Sequence, residues 1–538
     1  MIPGWYRDAI IYQVDPRTFL DLSGDGSGDL AGVVDRLHHL RGLGVTCLWL
    51  LPFYPSPFRD GGYDITDHLG VDPSLGTISD MVQLIQTADE LGIRVVVELV
   101  VQHTSDRHPW FQQARADRDS PYRYYYVWAD EPEPSEIEPV FPGTEDSVWA
   151  RDALAGQYYR HAFYSHEPDL NLANPAVLRE VEKIVAFWLQ MGVSGFRLDG
   201  APYIPERTKR LDATDGGLWW FDELNDFVTV RSPGAVLLGE VDVPVQQYAD
   251  YFADGHRVTM LLNFWSNNHL FLALARQDAT SLAKALRQQP PPPARGQYAN
   301  WLRNNDELDL ERLTDDEREE VLAAFAPREE HRIYGRGIRR RLAPMLDGDR
   351  DRIAMAHALL LSLPGVPVLH YGEEIGMGDD LGQPEREAVR TVMQWSAEHN
   401  AGFSPVPPDR LRMPLIADGP FGYREVNVYR QVLDQDALLY RIGNLSRTRG
   451  GLPQIGSGET AVLDSGCSAV LGVRHGSGGE TVVCLVNVSD AEVEATQPDG
   501  EWVDVIADRP YPPPEPGAPI PLRRYGYRWL REKRHLVD

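Results

Sequence analysis

Eight short apolar runs recur along the first two thirds of the chain: Ala9 to Val14, Val45 to Leu51, Ile93 to Val101, Gly195 to Leu198, Val236 to Gly239, Val258 to Phe264, Asn300 to Arg303 and Val366 to Tyr371. Between the first three lie Leu30 to Leu43 and Met81 to Leu91, whose apolar residues follow helical spacing. Val95-Val96-Val97 is apolar without alternation, the pattern of a strand covered on both faces. Strands alternating with helices at this interval form parallel sheets. Eight of them predict an α/β fold, a (β/α)8 TIM barrel.

The ends of three runs are acidic. Gly195-Phe196-Arg197-Leu198 leads into Asp199-Gly200, Ala235-Val236-Leu237-Leu238-Gly239 into Glu240, and the run from Tyr298 to Asn305 into Asp306. A barrel of this type gathers the C-terminal ends of its strands on one catalytic face. Alternation places Arg197 on the same side as Asp199, so its guanidinium can hold that carboxylate ionised. Retaining glycosidases use one carboxylate as nucleophile and a second, protonated, as acid and then base, roughly 5 Å apart. On that reading Asp199 is the nucleophile, Glu240 the acid/base, and Asp306 binds the distorted sugar.

These segments, together with Gly62-Tyr63-Asp64, Gln102-His103, His103-Thr104-Ser105-Asp106, Tyr371-Gly372-Glu373-Glu374 and Met393-Gln394-Trp395, resemble the signature regions of the α-amylase family, family 13 of the glycoside hydrolases. The resemblance covers almost the whole chain and is strongest to the branch that interconverts maltose and trehalose. It implies a barrel of residues 1–103 and 171–454 with an inserted domain B of residues 104–170, and the short β-like runs Ala469 to Val473 and Glu480 to Val488 suggest a C-terminal all-β sandwich of residues 455–538. The resemblance also implies that Tyr63, Asp64 and His103 contact the terminal glucosyl unit, and that Arg390 belongs to the pocket. The implied activity is transfer of an α-glucosyl unit through a covalent intermediate on Asp199. An α-glucosidase or transglucosylase on another small α-glucoside fits the same residues, and so does a non-catalytic carbohydrate-binding relative.

Several positions depart from the family pattern. Asn305 stands where a sugar-contacting histidine is usual, Glu98 and Gln102 are each one methylene longer than the usual Asp and Asn, Glu167 replaces a Gln, and Gly200 replaces a larger residue. The last change predicts extra room beside the scissile bond. In Asp21-Leu22-Ser23-Gly24-Asp25-Gly26-Ser27-Gly28-Asp29, oxygen ligands sit at mostly alternate positions around glycines. Hard cations favour such a set, and relatives bind calcium in a loop of this kind, so Asp21, Ser23, Asp25, Ser27 and Asp29 are the expected ligands of a structural Ca2+. No organic cofactor is expected.

Charge narrows the partners. Lys and Arg total 52 against 80 Asp and Glu, a net charge of -28, which argues against nucleic acid or an anionic membrane and is compatible with a small neutral oligosaccharide. Cys47, Cys467 and Cys484 are far apart and lack metal-ligand spacing, so they read as buried thiols of a reducing compartment. The start, Met1 to Asp8, lacks the regions of a signal peptide. A soluble cytoplasmic enzyme is expected. Residues 309–352, largely polar, are expected to form helical decoration over the pocket.

Overall fold

The computed structural model describes residues 4–132, 137–208, 216–477 and 480–533. The first three residues of the N-terminal stretch, and Gly478 and Gly479 of the Gly-rich turn between two C-terminal strands, lie outside the described residues.

Eight parallel strands close into a barrel: β1 (Ile11–Val14), β2 (Cys47–Leu50), β3 (Arg94–Leu99), β4 (Gly195–Leu198), β5 (Val236–Gly239), β6 (Met260–Leu262), β7 (Gln297–Trp301) and β8 (Val366–His370). Their spatial order follows the chain, and β1 pairs with β8 to close the ring. All eight expected runs become strands. The seventh begins three residues before the expected start, at Gln297, because that run pairs with β6 from Gln297 onwards.

Both faces of this ring are covered. Ile11, Trp49, Val96, Leu238, Met260, Trp301 and Val368 fill its interior, while alternate residues such as Leu48, Val97 and Leu237 join the larger core beneath the helices. Continuous apolar strands follow from that double burial. Gly195 is needed at the start of β4, because a Cβ there would lie 2.4 Å from the carbonyl oxygen of Val236 on the neighbouring strand.

The helices begin and end where local chemistry dictates. Helix α1 (Leu30–Leu43) is capped by Asp29, whose carboxylate accepts the N–H of Gly32, and stops at Gly44 with φ 89°. Helix α2 (Ile78–Glu90) starts with a capping box between Thr77 and Asp80. Helix α3 (Pro175–Met191) opens with Asn174 and Pro175 and buries Val177, Val181, Ile184, Val185 and Trp188, one stripe at helical spacing. Helices α4 (Phe264–Arg276) and α5 (Thr280–Gln288) both lie between β6 and β7.

Between β3 and α3 the chain leaves the barrel. It forms a helix, Pro109–Ala116, and a three-stranded antiparallel sheet from Trp128–Ala129, Trp149–Asp152 and Gln157–Arg160. His103 and Tyr126 bridge to Asp169 and Leu170, tying the two ends of the excursion together. After β7 the structure corrects the expectation of purely helical decoration. Leu308–Asp309, Arg332–Ile333 and Gly337–Ile338 form a small antiparallel sheet beside the helix Asp315–Phe325, and the following helix α6 (Arg350–Ser362) belongs to the barrel's outer layer. Gly335 supplies the left-handed turn that makes this hairpin possible.

The C-terminal region pairs a five-stranded antiparallel sheet with a two-stranded one. In its central strand β9 (Val482–Asn487), Val482, Cys484 and Val486 join the barrel-side core, whereas Val483 and Leu485 pack toward the small sheet. The three cysteines are free; Cys47 and Cys484 are buried, but Cys467 is only partly covered. Among the described residues no helix is long and apolar enough to cross a membrane.

Candidate active site

The three carboxylates meet at the C-terminal mouth of the barrel. Leu198 and Gly239 are register partners on β4 and β5, so the next residues, Asp199 and Glu240, emerge side by side. Asp306 follows β7, and all three line one pocket with Asp60, Tyr63 and His103.

Arg197 organises the first pair. Its guanidinium pairs with both Asp199 and Glu240 and lies 3.0 Å from Glu98. Glu240 also accepts the Gly200 N–H at 2.9 Å. Burial pushes the Asp199 carboxyl well above the usual carboxylate range; Arg197 opposes this, and the charges of Glu240, Glu98 and Asp306 add to it. Burial likewise raises Glu98 to about 7 against the pull of Arg197 and the Trp49 hydrogen bond. Burial thus favours the protonated form of both Asp199 and Glu98, and a proton held beside their common guanidinium belongs to the cluster rather than to one residue.

Asp306 is held in the opposite state. Burial disfavours its charge, but Arg386 at 2.8 Å and Arg390 at 2.9 Å outweigh it and lower its pKa. A fixed anion therefore faces a cluster that carries a proton.

The remaining expected contacts divide into two groups. Tyr63 and His103 line the pocket. Tyr63 donates to Glu98 at 3.2 Å, and burial holds the His103 imidazole well below its usual range, hence neutral. Asp64, Arg197, Asn305 and Arg390 lie behind the wall. Asp64 is fully buried, accepting from the Ser56 hydroxyl at 2.7 Å and lying 3.3 Å from Arg59. Asn305 accepts from Gln13 at 2.8 Å and donates to Tyr63 Oη at 3.4 Å, and Arg390 donates to the Asn305 carbonyl as well as to Asp306. The residue in the usual histidine position thus supports Tyr63 from behind.

Gly200 does not leave the room expected of it. A Cβ at this position would lie 2.9 Å from the Phe163 ring, and φ is +51°; the aromatic ring of the inserted segment fills the space. Glu167, buried beside Asp60 and Asp64, has its pKa raised well above the carboxylate range by burial and by those two charges. A neutral carboxyl has nearly the shape of the glutamine it replaces, and it sits 3.9 Å from His103. Gln102 uses its side chain to hold the Gly200 carbonyl at 2.8 Å. The Gln102 backbone carbonyl and the Asp169 carboxylate both face the Arg207 guanidinium, at 2.5 and 2.8 Å.

Sequence reasoning missed Asp60, Phe141, Glu385 and Arg386. Arg386 bridges Asp306 to Asp60, 2.7 Å away, and stacks over Phe141 at 4.6 Å. Its neighbour Glu385 accepts from Tyr164 at 2.6 Å and Thr144 at 2.7 Å, and lies 3.3 Å from the Tyr334 hydroxyl. These contacts clamp the inserted segment onto the loop that carries Arg386. The available signal was Arg386 and Arg390 one helical turn apart in Arg386-Glu387-Ala388-Val389-Arg390.

In the loop of residues 21–29 the acidic groups are engaged locally. Asp21 accepts the N–H groups of Gly24 (2.6 Å) and Gly26 (2.9 Å) and the Ser404 hydroxyl (2.6 Å). Asp29 accepts from Leu22, Ser23 and Gly32, and Asp25 accepts from Ser27 and faces Arg412 at 3.1 Å. Among the described residues, the acidic set whose oxygens lie within 4.8 Å of one another is Asp242, Asp309 and Glu311; Arg312 and Arg336 are already paired with it.

A barrel mouth with these carboxylates and arginines matches a known catalytic module: the family model for the α-amylase catalytic domain fits residues 13–311 and 332–457. The chain belongs to the α-amylase family. Among curated relatives of this family member, a trehalose synthase/amylase of Mycobacterium tuberculosis strain H37Rv is 43% identical over 501 residues, 90% of this chain and 82% of the relative. A trehalose synthase of Pimelobacter sp. strain R48 is 39% identical over 555 residues, 98% of this chain and 96% of that protein. Of solved structures, an α-amylase from H. orenii superposes with a TM-score of 0.80 at 26% identity, covering 98% of this chain and 99% of the other.

Proposed function

We propose that this family member is a retaining α-glucosyl enzyme that interconverts maltose and trehalose. The observation that carries the reading is the pairing of Asp199 and Glu240 on one guanidinium at adjacent strand ends, opposite an ionised Asp306. The similarity to trehalose synthases over 90% or more of the chain supports it.

The chemistry follows from those positions. Asp199 attacks the anomeric carbon as an anion while the cluster's proton is delivered from Glu240 to the glycosidic oxygen; the C–O bond breaks, leaving a glucosyl ester and free glucose. Asp306, held by two arginines, stabilises the positive charge that develops at the anomeric centre. The freed glucose turns, a different hydroxyl gives its proton to Glu240 and attacks the ester, and Asp199 is released. Water completing the same step gives hydrolysis. Isomerisation therefore requires an enclosed pocket, and the clamp of Glu385 with Tyr164, Tyr334 and Thr144 supports that closure.

Incubation with maltose and, separately, trehalose, with the disaccharides resolved from glucose, tests the proposal. Appearance of the other disaccharide in each direction is expected; glucose as the sole product from both makes the enzyme a hydrolase. The buried free thiols Cys47 and Cys484 support a cytoplasmic setting. For the loop of Asp21, Ser23, Asp25, Ser27 and Asp29 the reading retains a structural Ca2+, on the all-oxygen donor set; an ion there must draw Asp25 away from Arg412. Treatment with EDTA is expected to lower Tm and added Ca2+ to restore it, and an unchanged Tm removes calcium from the proposal.

A further inference from the structure

On the flank of the barrel, helices α4 and α5 together with Arg312, Thr314 and Glu317 line a cleft of about 740 Å3. Trp265 and His269, one turn apart on α4, stand ring to ring with centroids 4.3 Å apart, and Ser281 and Lys284 of α5 complete the lining. His269 is only 9% exposed, yet neither of its ring nitrogens has a hydrogen-bond partner, and the Ser281 hydroxyl lacks one as well. A buried polar group left unpaired is destabilising, so three such atoms at one cleft call for a partner that supplies hydrogen bonds.

The charges define its chemistry. Arg276 is committed to Glu320 at 2.7 and 2.8 Å, and Arg312 to Asp242 and Glu311 at 2.9 and 2.8 Å. Lys284 shares the lining with Asp278 and Glu317, so among the described residues its charge is balanced within the cleft and does not favour an anion. Burial lowers His269 to about 4, and a neutral imidazole offers one donor and one acceptor. A sugar hydroxyl is also both, and an indole face suits the apolar side of a pyranose ring.

We propose that the α4–α5 cleft is a second, non-catalytic binding site for a mono- or disaccharide. Arg312 lines this cleft and pairs with Asp242 and Glu311 of the catalytic pocket, giving the two sites a common side chain.

Calorimetric titration of the Asp199→Asn protein with maltose and with trehalose tests this without turnover. Two sites are expected, one of which is lost, or weakened at least tenfold, in both His269→Gln and Ser281→Ala backgrounds. Ser281→Ala removes only a hydroxyl and keeps the test valid if the histidine variant fails to fold. A single site indifferent to both substitutions overturns the proposal, as does a crystal soaked in either sugar that shows only ordered water on His269. The readout is independent of the catalytic reading: a pocket that refuses both sugars still leaves one site sensitive to Ser281.

Discussion

At the scale of single residues, charge sharing around Arg197 sets the chemistry. Replacing Asp199 by Asn removes the nucleophile, and turnover of either disaccharide is expected to fall by about 10^4-fold or more; near-normal rates in purified protein reject the assignment. Glu98 is the more informative position. Its charge is one of those that raise Asp199, so Glu98→Gln lowers the Asp199 pKa. Activity requires Asp199 ionised, and the acid limb of the kcat/KM profile is therefore expected to move to lower pH, whereas a residue that only packs leaves that limb in place. Glu98 also has a stability signature. A folded-state pKa of about 7, above the ordinary carboxyl value, means the native state binds the extra proton. That contribution is complete below the unfolded pKa and is lost as pH rises toward 7, so the Glu98→Gln protein gains in Tm relative to the parent across that window.

At the scale of elements, the decisive contact joins the segment inserted after β3 to the loop before Arg390. Glu385 receives hydroxyls from Tyr164 and Thr144, while Arg386 beside it grips Asp306 and Asp60. Closure of the pocket and alignment of the third carboxylate thus share one short loop. Glu385→Ala is expected to leave cleavage in place and raise the ratio of released glucose to isomerised product roughly fivefold, the ratio that about 1 kcal/mol of lost hydrogen bonding corresponds to. Product ratios from maltose check this, and an unchanged ratio separates the clamp from acceptor retention.

At the scale of the whole molecule, the C-terminal sandwich is docked by specific polar contacts within an apolar seam. Trp529 donates to the Ser362 hydroxyl at 2.9 Å at the end of α6, and the His475 ring contacts the Ser362 carbonyl at 2.9 Å. On the barrel side of this seam, Arg449 of the helix Leu438–Gly450 braces the turn into β8 by donating to the carbonyls of Leu361 and Gly365. Trp529→Ala is expected to cost about 3–5 kcal/mol, measured by denaturation, with kcat little changed in the fraction that remains folded. A neutral result shows that the barrel stands without this support.

The barrel was legible in the chain because its cause is local and repeated: each strand is buried on two faces, so each appears as an apolar run, and the first intervening helices show as apolar residues at helical spacing. The three carboxylates were legible for the same reason, since a strand end fixes where the next side chain emerges. What lay beyond the sequence was every relation between residues distant along it. Phe163 filling the space above Gly200, Asn305 supporting Tyr63 from behind, Arg386 reaching Asp306, and one guanidinium shared by Glu98, Asp199 and Glu240 depend on which elements the closed ring brings together. Periodicity encodes burial, residue by residue; electrostatics and packing at the mouth depend on distances of a few ångströms, and these exist only after the ring has closed.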